Sequence, residues 1–423
     1  MDRRSFMAFI LAGCAAPASQ TVSQPARDAE AANRIVTPVP PTLTPSGSEN
    51  FDRWLSGFWS KAVAAGVPED VLGRELKGLA PDDRVSALDS RQPEFSKPVG
   101  DYIKGVVTED RIAVGRRKRA ELSFLPAMSA RYGPPGDITI AIWAMESGFG
   151  AIQGNFDVVR SMATLAADGR RRGFAEDQLI AALKIIASGE QPRGRLVGSW
   201  AGAMGQTQFI PTTFLSTSVD GDGDGRRDIW GSRADALCSA ANLLGAAGWR
   251  RGEDWAREVT APPGFDFGLT EGPRDTVAQW GEQGLKRADG RAWTSIDLAA
   301  PAQLAAPAGA AGPLFLLFAN HFAIRKYNNS IAYALGVGLL ADRFGGAGPL
   351  ARAWPAETPL ALSDRIAAQQ ALAKLGFDPG APDGVVGLNT RAALRAWQKA
   401  NGITADGYLS LEMVRQLRGA AAL

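Results

Sequence analysis

The chain is poor in the residues on which many hydrolytic and metal-dependent sites are built. Its 423 residues include one histidine, His321, and two cysteines, Cys14 and Cys238. A Ser-His-Asp triad needs a histidine base, and zinc sites draw heavily on histidine and cysteine ligands. His321 lies in a helical-looking segment and is interpreted as structural. We therefore expect neither a Ser-His-Asp hydrolase, nor a multi-histidine zinc site, nor a disulfide framework.

Charge of one sign and long hydrophobic runs are also lacking. Lys and Arg number 46 against 44 Asp and Glu, a net charge of +2 that gives no reason to expect nucleic-acid binding. A composition of 45% hydrophobic and 21% charged residues is ordinary for a globular protein. This length leaves room for two or three domains.

The N-terminus has the composition of an export signal. Residues 1–14 combine Arg3-Arg4 with a short apolar run that cannot span a bilayer. Leu11 to Cys14 resembles the lipobox of bacterial lipoproteins, which implies lipidation of Cys14 and, with Ala15 following, sorting to the outer membrane. The Arg-Arg-Ser-Phe-Met segment also resembles a twin-arginine signal. The alternative is an ordinary cleaved secretory peptide. Residues 15–50 are rich in Ala, Pro, Ser and Thr and predict a disordered tether.

The main body, residues 51–343, is predicted to be mainly α, and its most informative stretch is Ile138 to Gly150. A helix that is apolar all round is a buried helix, and a glycine just past its last turn ends it. Glu146 is the one carboxylate in the stretch and falls at the helix C-terminus. Burial and the helix dipole both raise the pKa of such a group, as a general acid near neutral pH requires. The alternative is a solvated glutamate at a helix end.

Two further clusters supply uncharged polar and aromatic groups. Ser199 to Pro211 combines small residues with Ser199, Gln206 and Gln208, whose side chains suit sugar hydroxyls and amides, although tight helix packing explains the small residues equally well. Leu314 to Phe344 predicts a final apolar helix that is broken near Asn328-Asn329, and Tyr327 and Tyr333 lie on either side of this break. They could both face a cleft or both be core aromatics.

An acidic loop begins at Asp220 and matches the first half of an EF-hand, with a glycine at the sixth position. The acidic residue expected at the twelfth position is missing, and Asp235 could close a longer loop. We expect a structural Ca²⁺ here; the alternative is a plain Asp-Gly turn. The candidate ligands are Asp220, Asp222, Asp224, the carbonyl of Arg226, Asp228 and Asp235.

Taken together, these segments resemble the membrane-bound lytic transglycosylase B family of bacterial murein-cleaving enzymes. The matching motifs follow one another in order as W-A-M-E-S-G-F-G, G-A-M-G-Q-T-Q-F-I-P, the Asp-Gly loop and Y-N-N-S-I-A-Y-A, with a further segment at Leu88–Phe95. Gln206-Thr207 departs from the expected pattern. The resemblance implies a goose-type-lysozyme-like helical core. Between Pro262 and Gly312 the sequence pattern itself turns irregular, with several Pro and Gly, which predicts a small irregular or β insertion.

The resemblance also implies residue roles. Glu146 would be the single catalytic acid and base, Ser199, Gln208, Tyr327 and Tyr333 would line the cleft, and the Asp loop would hold calcium. Peptidoglycan glycan strands would be the substrate, cleaved between N-acetylmuramic acid and N-acetylglucosamine to leave a 1,6-anhydromuramyl end, with no cofactor in the chemistry. Most glycosidases need a second carboxylate, and none is evident near Glu146 in the sequence.

The C-terminal part reads as a separate module. Residues 344–360 have a linker composition rich in Gly and Pro. Residues 361–420 predict three helices, with the Asp383-Gly384 turn repeated at Asp406-Gly407, and resemble the peptidoglycan-binding domain of cell-wall enzymes.

The sequence thus predicts a periplasmic lytic transglycosylase, held at the outer membrane by a lipid on Cys14. Two alternatives stay open. One is a hydrolytic muramidase on the same fold, and the other is a non-catalytic wall-binding lipoprotein.

Overall fold

The computed structural model describes residues 43–90 and 95–423, without the side chains of residues 95 and 96. The predicted signal with Cys14, most of the predicted tether, and residues 91–94 of the Leu88–Phe95 segment lie outside the described residues. Within the described ranges, the helices are too short or too polar to cross a bilayer.

The described residues are mainly helical, as the sequence predicts, with a small antiparallel sheet. The helices are, in chain order, α1 (Glu49–Ala64), α2 (Glu69–Leu76), α3 (Asp83–Asp89), α4 (Val99–Val106), α5 (Glu109–Glu121), α6 (Leu125–Tyr132), α7 (Gly136–Ser147), α8 (Val158–Asp168), α9 (Arg172–Ala187), α10 (Pro211–Thr217), α11 (Arg233–Ala246), α12 (Val277–Glu282), α13 (Ser295–Ala299), α14 (Ala319–Tyr327), α15 (Ile331–Phe344), α16 (Leu362–Lys374), α17 (Leu388–Ala400) and α18 (Leu411–Ala421). The strands are β1 (Phe95–Ser96), β2 (Phe156–Asp157), β3 (Val197–Gly198), β4 (Ala256–Thr260), β5 (Asp275–Thr276), β6 (Lys286–Arg287), β7 (Pro301–Ala305), β8 (Leu314–Leu317) and β9 (Leu360–Ala361).

The chain divides into two compact units, each built from two separated segments. Of the described residues, the first unit comprises 43–90 together with 150–236. Its centre is the pair α8 and α9, against which α1, α2, α3 and α10 pack. The second unit comprises the described residues 95–149 and 237–423. The predicted catalytic segment, residues 51–343, therefore contributes to both units.

Helix α7 lies at the centre of a helical cluster in the second unit. Its residues from Ile138 to Ala144 are all buried, as the apolar run predicts, and α15 and α5 pack against it. Helix α15 approaches closely at Gly336, where an added Cβ would lie 3.1 Å from the Met145 Cε atom. The helix ends because Gly148 adopts the left-handed conformation at φ 59° and its N–H bonds to the Ala144 carbonyl.

The sheet in the second unit has the strand order β5-β7-β8-β4-β6, and its strand pairs are antiparallel. Leu314 to Leu317 was predicted to begin a helix, and that prediction is wrong, since these residues form the central strand β8. The four consecutive apolar residues are buried, and so short a run carries no periodicity that separates a strand from a buried helix. The β-containing region is also larger than Pro262–Gly312, because it begins at Ala256 and ends at Leu317.

The C-terminal module is a three-helix cluster of α16, α17 and α18 around Leu372, Leu394 and Leu417, each with 0% exposure. Two buried glutamines give it an internal repeat. The Gln369 amide accepts from the Gly384 N–H and donates to Asp383. The Gln398 amide accepts from the Gly407 N–H and donates to Asp406 in the same way.

The segment between sheet and module is anchored at both ends. The backbone N–H groups of Ala351 and Arg352 donate to the Glu258 carboxylate on β4, at 2.7 and 2.8 Å. Leu360–Ala361 pairs as β9 with β1. The predicted linker composition therefore belongs to a segment with fixed contacts.

Close packing of α15 on Trp255, the residue before β4, gives a stability prediction. A Cβ added at Gly338 would lie 2.2 Å from the buried indole of Trp255. We expect Gly338→Ala to destabilise the protein by about 1–3 kcal/mol through overpacking. Gly57→Ala on α1, where nothing lies within 4 Å, should be neutral or stabilising. Thermal unfolding of both variants tests this, and equal midpoints would contradict it.

Candidate active site

Glu146 lies in the last turn of α7 and has one hydrogen-bonding side chain placed against it. The Tyr333 hydroxyl, on the first turn of α15, donates to its Oε1 atom at 2.6 Å. Tyr333 is 4% exposed. A tyrosine held in the core therefore fixes the position of the carboxyl group.

The surroundings of Glu146 favour its protonated form. Burial raises its pKa to about 7, and the hydrogen bond from Tyr333 opposes the rise because it stabilises the carboxylate. Among the described residues, no second carboxyl group contributes to this shift. A group with this pKa is divided between acid and base near neutral pH, so it can donate a proton and later accept one.

Two predicted tyrosines come together at the break between α14 and α15. Their rings are stacked, with centroids 6.4 Å apart and an interplanar angle of 14° between Tyr327 and Tyr333. The break is shaped by two local bonds, from the Ser330 N–H to the Asn328 side chain and from the Tyr333 N–H to the Ser330 hydroxyl. The Asn-Asn-Ser sequence thus places Tyr333 at a helix N-terminus facing Glu146.

A third tyrosine near Glu146 was missed by sequence reasoning. Tyr102 lies on α4, and its pKa is raised by burial and by the charge of Glu146. The Tyr102 charge also contributes to the raised pKa of Tyr333. Nothing local in the sequence marks Tyr102, because it occupies an ordinary position in a helix between Asp101 and Ile103.

Ser199 and Gln208 lie in the first unit, on a tight loop after β3. The Ser199 hydroxyl accepts from the Ala203 N–H at 3.0 Å, and both side chains are 6% exposed. The small residues serve packing within the unit, since a Cβ at Gly202 would meet Met162 at 2.9 Å and one at Gly205 would meet Ile229 at 2.7 Å.

Gln208 is held in an unusual way. Its backbone has φ 52°, in the left-handed region, and its Nε2 atom donates to the carbonyls of Gly205 and Gln153. Two carbonyl acceptors fix the orientation of the amide. The Oε1 atom is buried and accepts no hydrogen bond from the described residues. It is therefore a buried acceptor left unsatisfied by the described residues.

The acidic loop, also in the first unit, brings three of the six candidate ligands together. Carboxylate oxygens of Asp220, Asp222 and Asp235 lie within 4.8 Å of one another. Asp235 is 1% exposed, and burial raises its pKa although the N–H groups of Gly221 and Asp228 donate to it. Oxygen ligands at this density fit Ca²⁺.

The other candidate ligands are engaged differently. The Asp224 carboxylate accepts from the Arg226 N–H at 2.9 Å, and Asp228 accepts from the N–H groups of Trp230 and Gly231. These two carboxylates are outside the group of three. These hydrogen bonds do not by themselves indicate calcium binding, because an Asp side chain commonly accepts from the N–H groups that follow it in a turn.

His321 and Cys238 lie apart from this chemistry. His321 is 0% exposed, its ring lies 6.3 Å from the Trp255 ring, and burial lowers its pKa to about 3, so it is neutral. Cys238 is buried and forms no disulfide among the described residues.

The fold and the Glu146 geometry define a class, that of lysozyme-like helical proteins with one proton-bearing carboxyl group at the end of a buried helix. A family model described as a transglycosylase SLT domain matches residues 50–342. A second, described as a peptidoglycan binding domain, matches residues 362–417. The chain belongs to the transglycosylase SLT family of lytic transglycosylases, which confirms the predicted resemblance.

Individual relatives agree with the family assignment. SltB3 from Pseudomonas aeruginosa, solved in complex with NAG-anhNAM-pentapeptide, is 46% identical, with a TM-score of 0.84 over 88% of this chain and 100% of that one. Slt35 from Escherichia coli, solved in complex with calcium, is 25% identical, with a TM-score of 0.58 over 70% of this chain and 93% of that one. These neighbours confirm the predicted lysozyme-like fold class.

A curated relative is the membrane-bound lytic murein transglycosylase B of Escherichia coli (strain K12). It is 29% identical over 212 residues, which is 49% of this chain. The match spans 56% of that relative's length.

The raised pKa of Glu146 predicts a pH-dependent stability difference. Its folded-state pKa of about 7 exceeds the ordinary 4.5, so the stabilisation is fully present below pH 4.5 and is lost as the pH rises through 7. As the pH rises from 4.5 to 7, the free energy of unfolding of Glu146→Gln should therefore increase relative to that of wild type. The expected gain is about 1–2 kcal/mol, allowing for solvent screening. Urea unfolding across the pH range measures it, with Glu282→Gln, at an exposed position on α12, as the control. A pH-independent difference would contradict the expectation.

Proposed function

We propose that this chain cleaves the β-1,4 bond between N-acetylmuramic acid and N-acetylglucosamine in peptidoglycan without consuming water. The observation that carries the proposal is the Glu146 carboxyl group, which has a pKa of about 7 and is held by Tyr333. Support also comes from SltB3, a relative solved in complex with NAG-anhNAM-pentapeptide.

In the first step, protonated Glu146 donates to the glycosidic oxygen. The bond from the muramyl C1 to that oxygen breaks, the N-acetylglucosamine leaves with a 4-hydroxyl, and the muramyl N-acetyl carbonyl stabilises the cationic C1. The Tyr333 hydroxyl stabilises the carboxylate that forms, because its hydrogen bond favours the charged state.

In the second step, Glu146 acts as a base. The carboxylate takes the proton from the muramyl O6 hydroxyl, O6 attacks C1, and a 1,6-anhydromuramyl end forms. Glu146 recovers its proton, so the cycle closes without a cofactor. A pKa near neutral suits both steps, since neither form of the group is strongly disfavoured.

Uncharged groups would hold the substrate. The buried Oε1 atom of Gln208, which accepts no hydrogen bond from the described residues, suits an acetamido N–H. The Ser199 hydroxyl still has donor capacity while it accepts from Ala203. Tyr327 and Tyr102 offer aromatic surface beside the Glu146 region.

Hydrolysis is the alternative outcome on the same fold. A hydrolytic glycosidase usually needs a second carboxylate to activate water or to act as nucleophile. The pKa of Glu146 is set by burial and by Tyr333, and no second carboxyl group of the described residues contributes. We therefore propose the muramyl O6 hydroxyl, and not water, as the nucleophile.

The proposal extends to location. We propose that the C-terminal module binds the wall, that Cys14 carries a lipid, and that residues 15–50 tether the enzyme to the outer membrane in the periplasm. The curated relative is, by its name, membrane-bound.

Digestion of purified murein sacculi tests the reaction. We expect the wild-type chain to release anhydromuramyl products, lighter by one water than hydrolytic products. Glu146→Gln should lower the rate by at least about 100-fold, because a general acid contributes 10²–10⁴-fold. Mass analysis of the muropeptides distinguishes transglycosylation from hydrolysis. Reducing ends would show a hydrolase, and equal activity of both proteins would remove Glu146 from the mechanism.

We further propose that Asp220, Asp222 and Asp235 hold a structural Ca²⁺, with the Arg226 carbonyl and the neighbouring carboxylates completing the loop. A cation would offset the repulsion among three carboxylates that lie within 4.8 Å of one another. It takes no part in proton transfer.

Calcium should stabilise the wild-type chain and so raise its thermal unfolding midpoint. At a free calcium concentration one hundred times Kd, the gain in the free energy of unfolding should be about 2.7 kcal/mol. Asp222→Asn, at an exposed position, and Asp235→Asn should lose most of this gain. Asp177→Asn, an exposed carboxylate on α9, should keep it. Titrating each protein with CaCl₂ after EDTA treatment measures the shift, and an unchanged wild-type midpoint would refute the site.

A further inference from the structure

A cavity in the second unit lies between the catalytic part and the C-terminal module. Its volume is about 500 Å³. Val99 and Ile331, the first residues of α4 and α15, form one side, and residues of α16, α17 and α18 form the other. It is not the Glu146 site, because neither Glu146 nor Tyr333 lines it.

The cavity nevertheless adjoins that site through two helices. Val99 precedes Tyr102 on α4 by three residues, about 4.5 Å along the helix axis. Ile331 precedes Tyr333 on α15 by two residues, about 3 Å. The helix ends that place tyrosines beside Glu146 thus also form the wall of the cavity.

Three of the carboxylates lining the cavity are engaged in contacts that fasten the module. Glu271 pairs with Arg391 at 2.9 Å, and its own backbone has φ 62°, in the left-handed region. Glu357 accepts from the Tyr408 hydroxyl at 2.7 Å. Asp406 accepts from the Ala310 N–H at 2.9 Å. A fourth, Glu412, lies 3.8 Å from Arg415 on the same helix.

Two lining cations lack such partners. Lys97 and Arg365 form no ion pair with the described residues, and the Arg365 Nε atom is buried with no hydrogen-bond acceptor among them. A buried guanidinium donor without an acceptor is unfavourable, and a carboxylate satisfies it best. The first turn of α18, which begins at Leu411 in the lining, adds the positive end of a helix dipole.

We infer that this cavity binds carboxylate groups of the stem peptide carried by the muramyl residue of a strand at Glu146, with Lys97 and Arg365 as specificity-determining residues. The inference rests on the proposed function. A peptide attached to the glycan brings at least a C-terminal carboxylate, which matches the chemistry of the two cations.

The cavity is preformed, which favours this use. The pairing of β1 with β9 and the ion pair between Glu271 and Arg391 fix the two walls within one unit. A preformed site binds without an ordering penalty on the protein side. The enzyme would therefore act on strands that bear peptides in preference to bare glycan.

The test compares two substrates: glycan strands bearing tetrapeptide stems, and the same strands after an amidase has removed the stems. The full chain and the double variant Lys97→Gln/Arg365→Gln are assayed for anhydromuramyl ends. We expect the ratio of kcat/KM for peptide-bearing over bare strands to fall by about tenfold or more in the variant, mainly through KM.

Arg418→Gln is the matched control, since Arg418 is exposed on α18 and does not line the cavity. Its ratio should equal that of wild type. An unchanged ratio in the double variant, or equal losses on both substrates, would overturn the inference while wild-type activity upheld the proposed function. A wild-type chain that makes no anhydromuramyl ends on either substrate would overturn both.

Discussion

The proposed chemistry depends on one constraint in the second unit, a carboxyl group held in a poorly solvated place at the end of a buried helix. Burial raises the pKa of Glu146 to about 7, and the tyrosine hydroxyl limits that rise. Both effects require close packing of α7 and α15, which the glycine at Gly336 permits. The same packing that stabilises the unit therefore sets the acidity of its reactive group.

Burial of this kind opposes stability. A glutamate that must ionise in a poorly solvated place destabilises the fold above its pKa, so function and stability are in tension at Glu146. The surrounding structure offsets this cost with the buried residues Ile138 to Ala144 of α7 and with the core residue Tyr333. The acidic loop in the first unit shows the same tension, since Asp235 is buried beside two other carboxylates.

Much of this could be predicted from local patterns, and the failures have physical causes. The α7 helix and its end at Gly148 follow from an apolar run that a glycine terminates. The acidic loop lacks the acidic residue at the twelfth position of a standard EF-hand, and this departure indicates Asp235 as the residue that closes a longer loop. Tyr102 could not be found, because its relation to Glu146 arises from helix packing and not from spacing. Leu314 to Leu317 was misassigned because four apolar residues carry no period. The paired glutamines of the module were missed because a buried amide leaves no sequence pattern.

Those glutamines have a consequence for how the module can diverge. Gln369 and Gln398 accept hydrogen bonds from the two Asp-Gly turns on the inner side of the module. The side chains on the outer side of the turns are therefore not needed to fix the shape of the turns. Val385, beside the first turn, and Leu388, at the start of α17, are 66% and 62% exposed. Substitution of these two side chains can therefore change the surface chemistry of the module while its fold stays intact.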